Sequence, residues 1–159
     1  MKKVMLFLVT VIMISVSACQ PEMEMTTLPE PVPYQNLSPS SHDLSISLEE
    51  TDFSGPPEIL NITLKNSGDK LYHYGMFYQL EYKIDGMWYI IPYNDNIFAK
   101  YPDFRNTGRM IKPQATVLQT YTPDELDLHL SAGEYRLVKT FIYADSSYTV
   151  TIAAPFQIY

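Results

Sequence analysis

The sequence is nearly devoid of cysteine, since Cys19 is the only one among 159 residues. A disulfide within the chain is therefore excluded, because a second thiol is missing. Basic residues are also scarce: 11 Lys and Arg face 18 Asp and Glu, which gives a net charge of −7. This balance argues against nucleic acid as a partner, because phosphate binding needs concentrated Lys and Arg. It also argues against electrostatic adhesion to an anionic bilayer.

Motifs of catalysis and cofactor binding are missing as well. His42, His73 and His129 lack the spacing of metal ligands. Neither a Gly-rich phosphate loop nor a Gly-x-Ser-x-Gly elbow occurs. Carboxylates cluster at 49–50 and at 124–127, where they could hold Ca²⁺ or serve acid–base chemistry, but solvated acidic loops are the favoured interpretation. We therefore expect no catalytic residue, no metal site and no cofactor.

The amino terminus has the layout of a secretory leader. Two lysines precede the apolar run "VMLFLVTVIMISV" at 4–16, which is short for a membrane-spanning helix of roughly 20 residues. The following "VSAC" resembles the lipobox of bacterial lipoproteins, in which cleavage before the cysteine accompanies attachment of diacylglycerol to its sulfur. The resemblance implies a lipoprotein signal peptide at 1–18 and a lipid, with acyl chains such as palmitate, on Cys19. An uncleaved membrane anchor with an incidental cysteine is the alternative.

The segment from 19 to 42 is predicted to be a tether. Residues 20–42 contain five prolines and no long apolar pattern. Because proline fixes φ and favours extended polyproline II geometry, we expect an unfolded, semi-rigid chain. At about 3.1 Å per residue its reach would be on the order of 60 Å. Loss of the leader removes two lysines and no acid, which moves the net charge from −7 to −9.

Residues 43–159 carry the pattern of short β-strands. "LSISL" at 44–48 and "ILNITLKN" at 59–66 alternate apolar with polar residues, the period of a half-buried strand. "DG" at 85–86 predicts a hairpin turn, because both central residues must adopt positive φ. No segment sustains a helical apolar period over ten residues. Seven or eight strands in about 115 residues predict an all-β fold, an immunoglobulin-like Greek-key β-sandwich.

One short motif bears on the packing of this predicted sandwich. "LSAGEY" at 130–135 follows the Leu-x-x-Gly-x-Tyr pattern of a tyrosine corner. We expect Gly133 to permit the tight corner, Leu130 to plug the core, and the Tyr135 phenol to bond to backbone a few residues upstream. The single tryptophan, Trp88, is expected to fill the space between the two sheets.

Two longer stretches, 60–92 and 130–141, resemble a known family. They are similar to the bacterial Ig-like domain of small lipoproteins from Bacillus-type Gram-positive bacteria. The matching residues are Asn66, Tyr74, Gly75, Asp85, Gly86, Trp88, Gly133, Tyr135, Arg136 and Lys139. One departure is Ala132, where the family usually has proline. The resemblance covers roughly 43–158 and implies an Ig-like sandwich without catalytic residues, displayed outside a Gram-positive cell membrane.

The loop from 93 to 109 is the main candidate for function. It interleaves aromatic and basic residues in an acidic protein, among them Tyr93, Phe98, Tyr101, Phe104 and Arg105. Such a composition suits a contact patch, but the same aromatics could instead fold back to cap the sandwich. We predict a non-catalytic lipoprotein, anchored to the membrane by its N-terminal lipid, whose partner is an unknown protein or cell-wall component. The alternatives are a proteinase inhibitor presenting this loop and a wall hydrolase using Asp124 or Glu125.

Overall fold

The computed structural model describes residues 25–106 and 108–159, so the predicted signal peptide and Cys19 lie outside the described residues. Eleven strands occur in these ranges: β1 Ser40–Ser41, β2 Leu44–Leu48, β3 Asp52–Phe53, β4 Leu60–Asn66, β5 Tyr72–Tyr74, β6 Gln79–Ile84, β7 Met87–Ile90, β8 Arg109–Ile111, β9 Thr116–Tyr121, β10 Gly133–Tyr143 and β11 Thr149–Ile158. They are accompanied by one short helix, α1 Ile97–Lys100, and two 3₁₀ helices, Pro102–Arg105 and Asp124–Leu126.

The strands form two sheets that pack face to face. The smaller sheet has the order β1-β2-β4-β9, and the larger has β3-β11-β10-β5-β8. β6 also pairs with β10, and β7 pairs with β6. β3 runs parallel to β11, whereas the other pairs are antiparallel. The predicted all-β, Ig-like sandwich is confirmed. The strand count exceeds the predicted seven or eight for two reasons: β1 and β3 are short additions of two residues each, and β5 and β6 are two parts of one interrupted strand.

Alternation along the strands builds the core. Leu60, Ile62 and Leu64 of β4 are buried, whereas Asn61 and Lys65 on the opposite face are exposed. This is the period of 2 expected of a strand with one face against the core. Burial of so many aliphatic and aromatic side chains, at about 25 cal/mol per Å² of apolar surface, is the main favourable term in folding.

Two turns show the backbone geometry that their residues allow. Asp85 and Gly86 both have positive φ, 50° and 82°, so the β6–β7 connection is the two-residue hairpin that the sequence predicts. At the entry to β10, Tyr135 Oη donates to the Ser131 carbonyl at 2.6 Å and accepts from the Ser131 N–H at 3.0 Å. Gly133 has φ 148°, and a Cβ there would lie 2.3 Å from the Tyr82 ring. Leu130 lies beneath this corner and is buried.

An N-terminal segment, residues 28–38, lies across the outer face of the larger sheet and is here called the strap. At one edge, the Leu28 N–H donates to the Ile90 carbonyl at 2.8 Å and the Val32 N–H donates to the Trp88 carbonyl at 2.9 Å. Val32 is buried by this contact. The strap therefore supplies backbone partners to β7, which would otherwise be a free edge strand.

The strap continues to the opposite side of the same sheet. There the Ala153 N–H of β11 donates to the Ser38 carbonyl at 3.0 Å. These contacts correct the prediction of an unfolded tether for its described part: residues 28–38 are folded onto the domain. The physical reason is that two open strand edges and a buried side chain offset the entropy of ordering the segment.

Beneath the strap lies a buried ion pair. Arg136 Nε donates to Glu81 Oε2 at 2.6 Å, and Nη2 forms an ion pair with the same oxygen at 2.6 Å. Nη1 donates to the Gln35 carbonyl at 2.7 Å and Nη2 to the Tyr34 carbonyl at 2.8 Å, both in the strap. The guanidinium also stacks 4.6 Å above the Trp88 ring. Each of the three guanidinium nitrogens therefore has an acceptor.

The position of Trp88 corrects a second expectation. Trp88 pairs across the hairpin with Lys83, which shares its face with Glu81. That face is the outer one, because Arg136 and Glu81 meet under the strap while the neighbouring Tyr135 points into the core. The indole therefore does not fill the space between the sheets. It is half-buried and serves as a platform for the arginine.

Candidate binding site

The loop that follows β7 closes one side of the sandwich. It runs from the end of β7 to the start of β8, beside β9, the edge strand of the smaller sheet. Its helix α1 is held by Ile97, which is buried. The loop is therefore attached to the core by an apolar side chain rather than extended into solvent.

Four of the predicted contact residues turn their rings toward the domain. Tyr93, Phe98 and Phe104 surround Phe77, with ring centroids 5.6, 6.0 and 6.0 Å from it. Tyr101 packs on Phe104 at 5.8 Å. These rings are partly buried against the core. This is the arrangement expected of a loop that caps the sandwich, and it leaves a fixed surface of ring edges.

Arg105 and the acidic turn complete this surface. Arg105 is exposed and lies over the Phe98 ring at 5.5 Å. Tyr101 Oη donates to the Glu125 carbonyl at 2.6 Å, and Lys100 Nζ donates to the same oxygen at 3.2 Å. Lys100 also lies 3.8 Å from an Asp127 carboxylate oxygen. The fold thus brings together two regions, 93–109 and 124–127, that the sequence suggested separately.

The carboxylates of the acidic turn face solvent. Asp124 and Glu125 are exposed, and Glu125 meets the loop through its backbone carbonyl. Within residues 25–106 and 108–159, no three His, Cys, Asp or Glu side chains are grouped as metal ligands.

A cleft of about 310 Å³ opens between the loop and the turn. Its lining includes side chains from the loop, β8, β9 and the break between β5 and β6: Met76, Tyr78, Tyr101, Phe104, Arg109 and Tyr121. The volume is at the small end of the range for ligand sites, and the mixture of aromatic walls with a few polar groups is typical of them.

Tyr78 is the unusual residue of this cleft. Its side chain is fully buried, and its ring lies 3.8 Å from that of Tyr121. In the part of the chain that the structure describes, Tyr78 Oη is the one buried side-chain N or O atom without a hydrogen-bond partner. Burial raises the pKa of this phenol, and the neighbouring Tyr93 hydroxyl opposes that rise only in part, so Tyr78 stays protonated at neutral pH. An unpaired buried hydroxyl costs about 1–3 kcal/mol.

Lys139 lies behind Tyr121. The alternation of β10 places Lys139 on the inner face with Tyr135, and its Nζ donates to the Gly75 carbonyl at 2.8 Å, to the Phe77 carbonyl and to Tyr121 Oη at 3.0 Å. Burial, and next the charge of Arg109, lowers the pKa of Lys139 to about 7. Among the described residues no carboxylate lies within ion-pair distance of this ammonium.

Sequence reasoning missed the floor of the cleft. Tyr78 and Tyr121 carry no local signal, because aromatic residues in strands are usually core. Lys139 did carry one, since the alternation Tyr135, Leu137, Lys139 points a charged side chain inward. Gly75 explains why the floor exists: a Cβ there would lie 2.7 Å from the Asn106 carbonyl oxygen, so only glycine lets the loop approach this closely.

Comparison with known proteins adds a family. A family model described as a bacterial Ig-like domain matches residues 40–157. The match starts after the strap and covers both sheets and the cleft. None of the curated proteins compared with the chain matches it. In the described ranges, no helix has the length and apolar character needed to span a membrane.

Proposed function

The chain belongs to the bacterial Ig-like domain family, and from this premise we propose that it is a non-catalytic binding module held outside the cell membrane by lipid on Cys19. Family membership favours a surface or interaction role. The "VSAC" ending of the leader supports lipid attachment, and two acyl chains suffice for stable anchoring where one is marginal. The proposed host is a Gram-positive bacterium of the Bacillus type.

The observation that carries the binding role is the fixed surface around the cleft. Its aromatic rings are pre-ordered by packing on Phe77, so a partner would not have to pay their ordering entropy. Arg105 projects from this surface in a protein that is otherwise acidic. Rigid aromatic residues next to arginine are the side chains most enriched at the energetic centres of interfaces.

The test is site-specific photo-crosslinking of the full chain in the cells that produce it. A photoreactive residue replaces Ala99, which is exposed on α1, or Tyr148, which is exposed at the β10–β11 turn. We expect a discrete higher-mass adduct from position 99 in the membrane fraction and none from position 148. Equal labelling from both positions, or none from position 99, would overturn the assignment of the binding surface.

The same cells test the anchor through Cys19→Ala. The substituted chain should appear in the medium or remain as an uncleaved precursor, because the sulfur that would carry diacylglycerol is gone. A substituted chain that is still processed and membrane-bound would show that Cys19 is not the attachment site. The adduct at position 99 should disappear with the release if the partner is membrane-associated.

A further inference from the structure

Two side chains of the cleft carry hydrogen-bond donors that have no acceptor among the described residues. Tyr78 Oη–H has no partner among the described residues. Arg109 lines the cleft, and within those residues its guanidinium makes neither a salt bridge nor a side-chain hydrogen bond. Lys139 donates to Tyr121 Oη from behind, and Tyr121 in turn donates to Gln119 at 2.8 Å. An acceptor group on a ligand would satisfy both donors.

We propose that the cleft binds the carboxylate of a small organic acid, with Tyr78 and Arg109 as its hydrogen-bond donors. This inference rests on the proposed binding function and names the ligand class of the same surface. A carboxylate presents two acceptor oxygens, which suits one phenol and one guanidinium. It would relieve the unpaired hydroxyl of Tyr78, a group that otherwise only destabilises the fold.

The charge balance of the cleft selects a single negative charge. Two cations, Lys100 and Arg109, and two acids, Asp103 and Glu125, line its walls. The charges of these four groups cancel, and Lys139, whose Nζ lies behind Tyr121, adds at most one positive charge to the floor. A carboxylate monoanion therefore suits the cleft better than a phosphate dianion.

The walls determine what else the ligand carries. Met76, Tyr101 and Phe104 offer thioether and ring surfaces near the donors. A cleft of about 310 Å³ accommodates an apolar or ring-bearing substituent but not a long polymer. Two sources share this chemistry, namely the carboxyl end of a peptide and an acidic sugar.

The experiment is calorimetric titration of the purified full chain in detergent with matched pairs of probes. N-acetyl-leucine is compared with N-acetyl-leucinamide, and glucuronic acid with glucose, so that the two pairs separate a peptide end from an acidic sugar. We expect one acid to bind at least tenfold more tightly than its neutral counterpart. Equal affinity within both pairs, or no binding of either acid at millimolar concentration, would overturn the proposal.

Two variants locate the binding. Tyr78→Phe should weaken the bound acid at least tenfold while leaving the melting temperature unchanged or higher, because it removes an unpaired buried hydroxyl. Arg109→Gln, at an exposed position that does not threaten folding, should weaken it similarly. Tyr148→Phe, outside the cleft, is the control and should change nothing. Unchanged affinity in both cleft variants would refute the site. If the crosslinked adduct at position 99 still formed, the proposed binding function would be retained and only this ligand class would be rejected.

Discussion

β10 carries two buried cations, three residues apart and on opposite faces of the larger sheet. Arg136 points outward and is neutralised by Glu81, covered by the strap and stacked on Trp88. Lys139 points inward and has only neutral oxygens around it. The first arrangement is complete within the domain, whereas the second leaves an unbalanced charge next to a cleft.

The difference between the two cations distinguishes a buried polar group that stabilises the fold from one that is available for function. A buried ion pair that is covered by the strap presents no charge to a ligand and acts as a fastening between strap and sheet. A buried ammonium without an anion is tolerated at a cost in desolvation, and such cost is typical of sites that bind or react. The contrast can be tested by removing each charge in turn.

The largest effect is expected from Arg136→Met. This change leaves the Glu81 carboxylate buried without its partner, which should lower the free energy of unfolding by about 3–5 kcal/mol. Urea unfolding followed by tryptophan fluorescence measures the loss. The double variant Arg136→Met, Glu81→Met should regain most of it, because no charge is then left buried. A single variant within 1 kcal/mol of the parent chain, on the order of one surface ion pair, would mean that the pair is not a fastening.

The second effect is a dependence on pH that only Lys139 should show. Its folded pKa of about 7 lies below the ordinary value of 10.5, so between these values the unfolded chain binds the extra proton. Stability contributed by this group therefore rises with pH above about 7, with a slope of up to roughly 1.4 kcal/mol per pH unit. Below pH 7 both states are protonated and the full penalty applies.

Lys139→Met removes this dependence. The difference in unfolding free energy between the parent chain and the variant should shift in favour of the parent by roughly 2 kcal/mol between pH 6.5 and pH 9. Urea unfolding at several pH values measures it. The double variant Arg136→Met, Glu81→Met is the matched control, because it leaves no titratable group at that position and its difference should be flat. A difference for Lys139→Met that does not change with pH would show that Lys139 does not lose its proton in this window and does not differ from Arg136 in this respect.

The smallest effect is expected from Gln35→Ala in the strap. Gln35 Oε1 accepts from the Trp88 N–H at 2.8 Å, and Gln35 Nε2 donates to the Trp88 carbonyl at 3.2 Å. Loss of these bonds should cost about 1 kcal/mol and speed hydrogen exchange at the Trp88 amide. Gln157→Ala on β11 is the control and should leave that amide's exchange unchanged. Unaltered exchange in Gln35→Ala would show that the strap does not depend on this residue.

Much of the sandwich follows from the sequence by local rules. The alternation in β4, the Asp85–Gly86 turn and the Leu-x-x-Gly-x-Tyr motif before β10 each specify a structure within a few residues. These features depend on side-chain period and on backbone angles, which the sequence encodes directly. The fold class was predictable for that reason.

The strap and the cleft depend on contacts distant in sequence, which local patterns do not encode. The prolines predicted an unfolded tether. A segment can nevertheless pair with a strand edge through only some of its backbone groups, and Pro31 forms a bridge with Tyr89. In "MWYII" both faces are apolar, so its alternation could not assign Trp88 to a face. Likewise, Tyr78 is enclosed by a contact with Phe104, which belongs to a loop distant in sequence.

The strap also limits how far the domain could extend from a membrane if Cys19 carries the proposed lipid. With residues 28–38 fixed to the sheet, and Met25 already packed near Pro92 and Leu128, only six Cα-to-Cα steps separate Cys19 from the folded body. Such a span reaches at most about 20 Å, a third of what a free tether would allow. A chain lipidated at Cys19 would thus stay within a thin layer next to the bilayer. This confinement would raise the effective concentration of membrane-bound partners relative to partners deep in the cell wall.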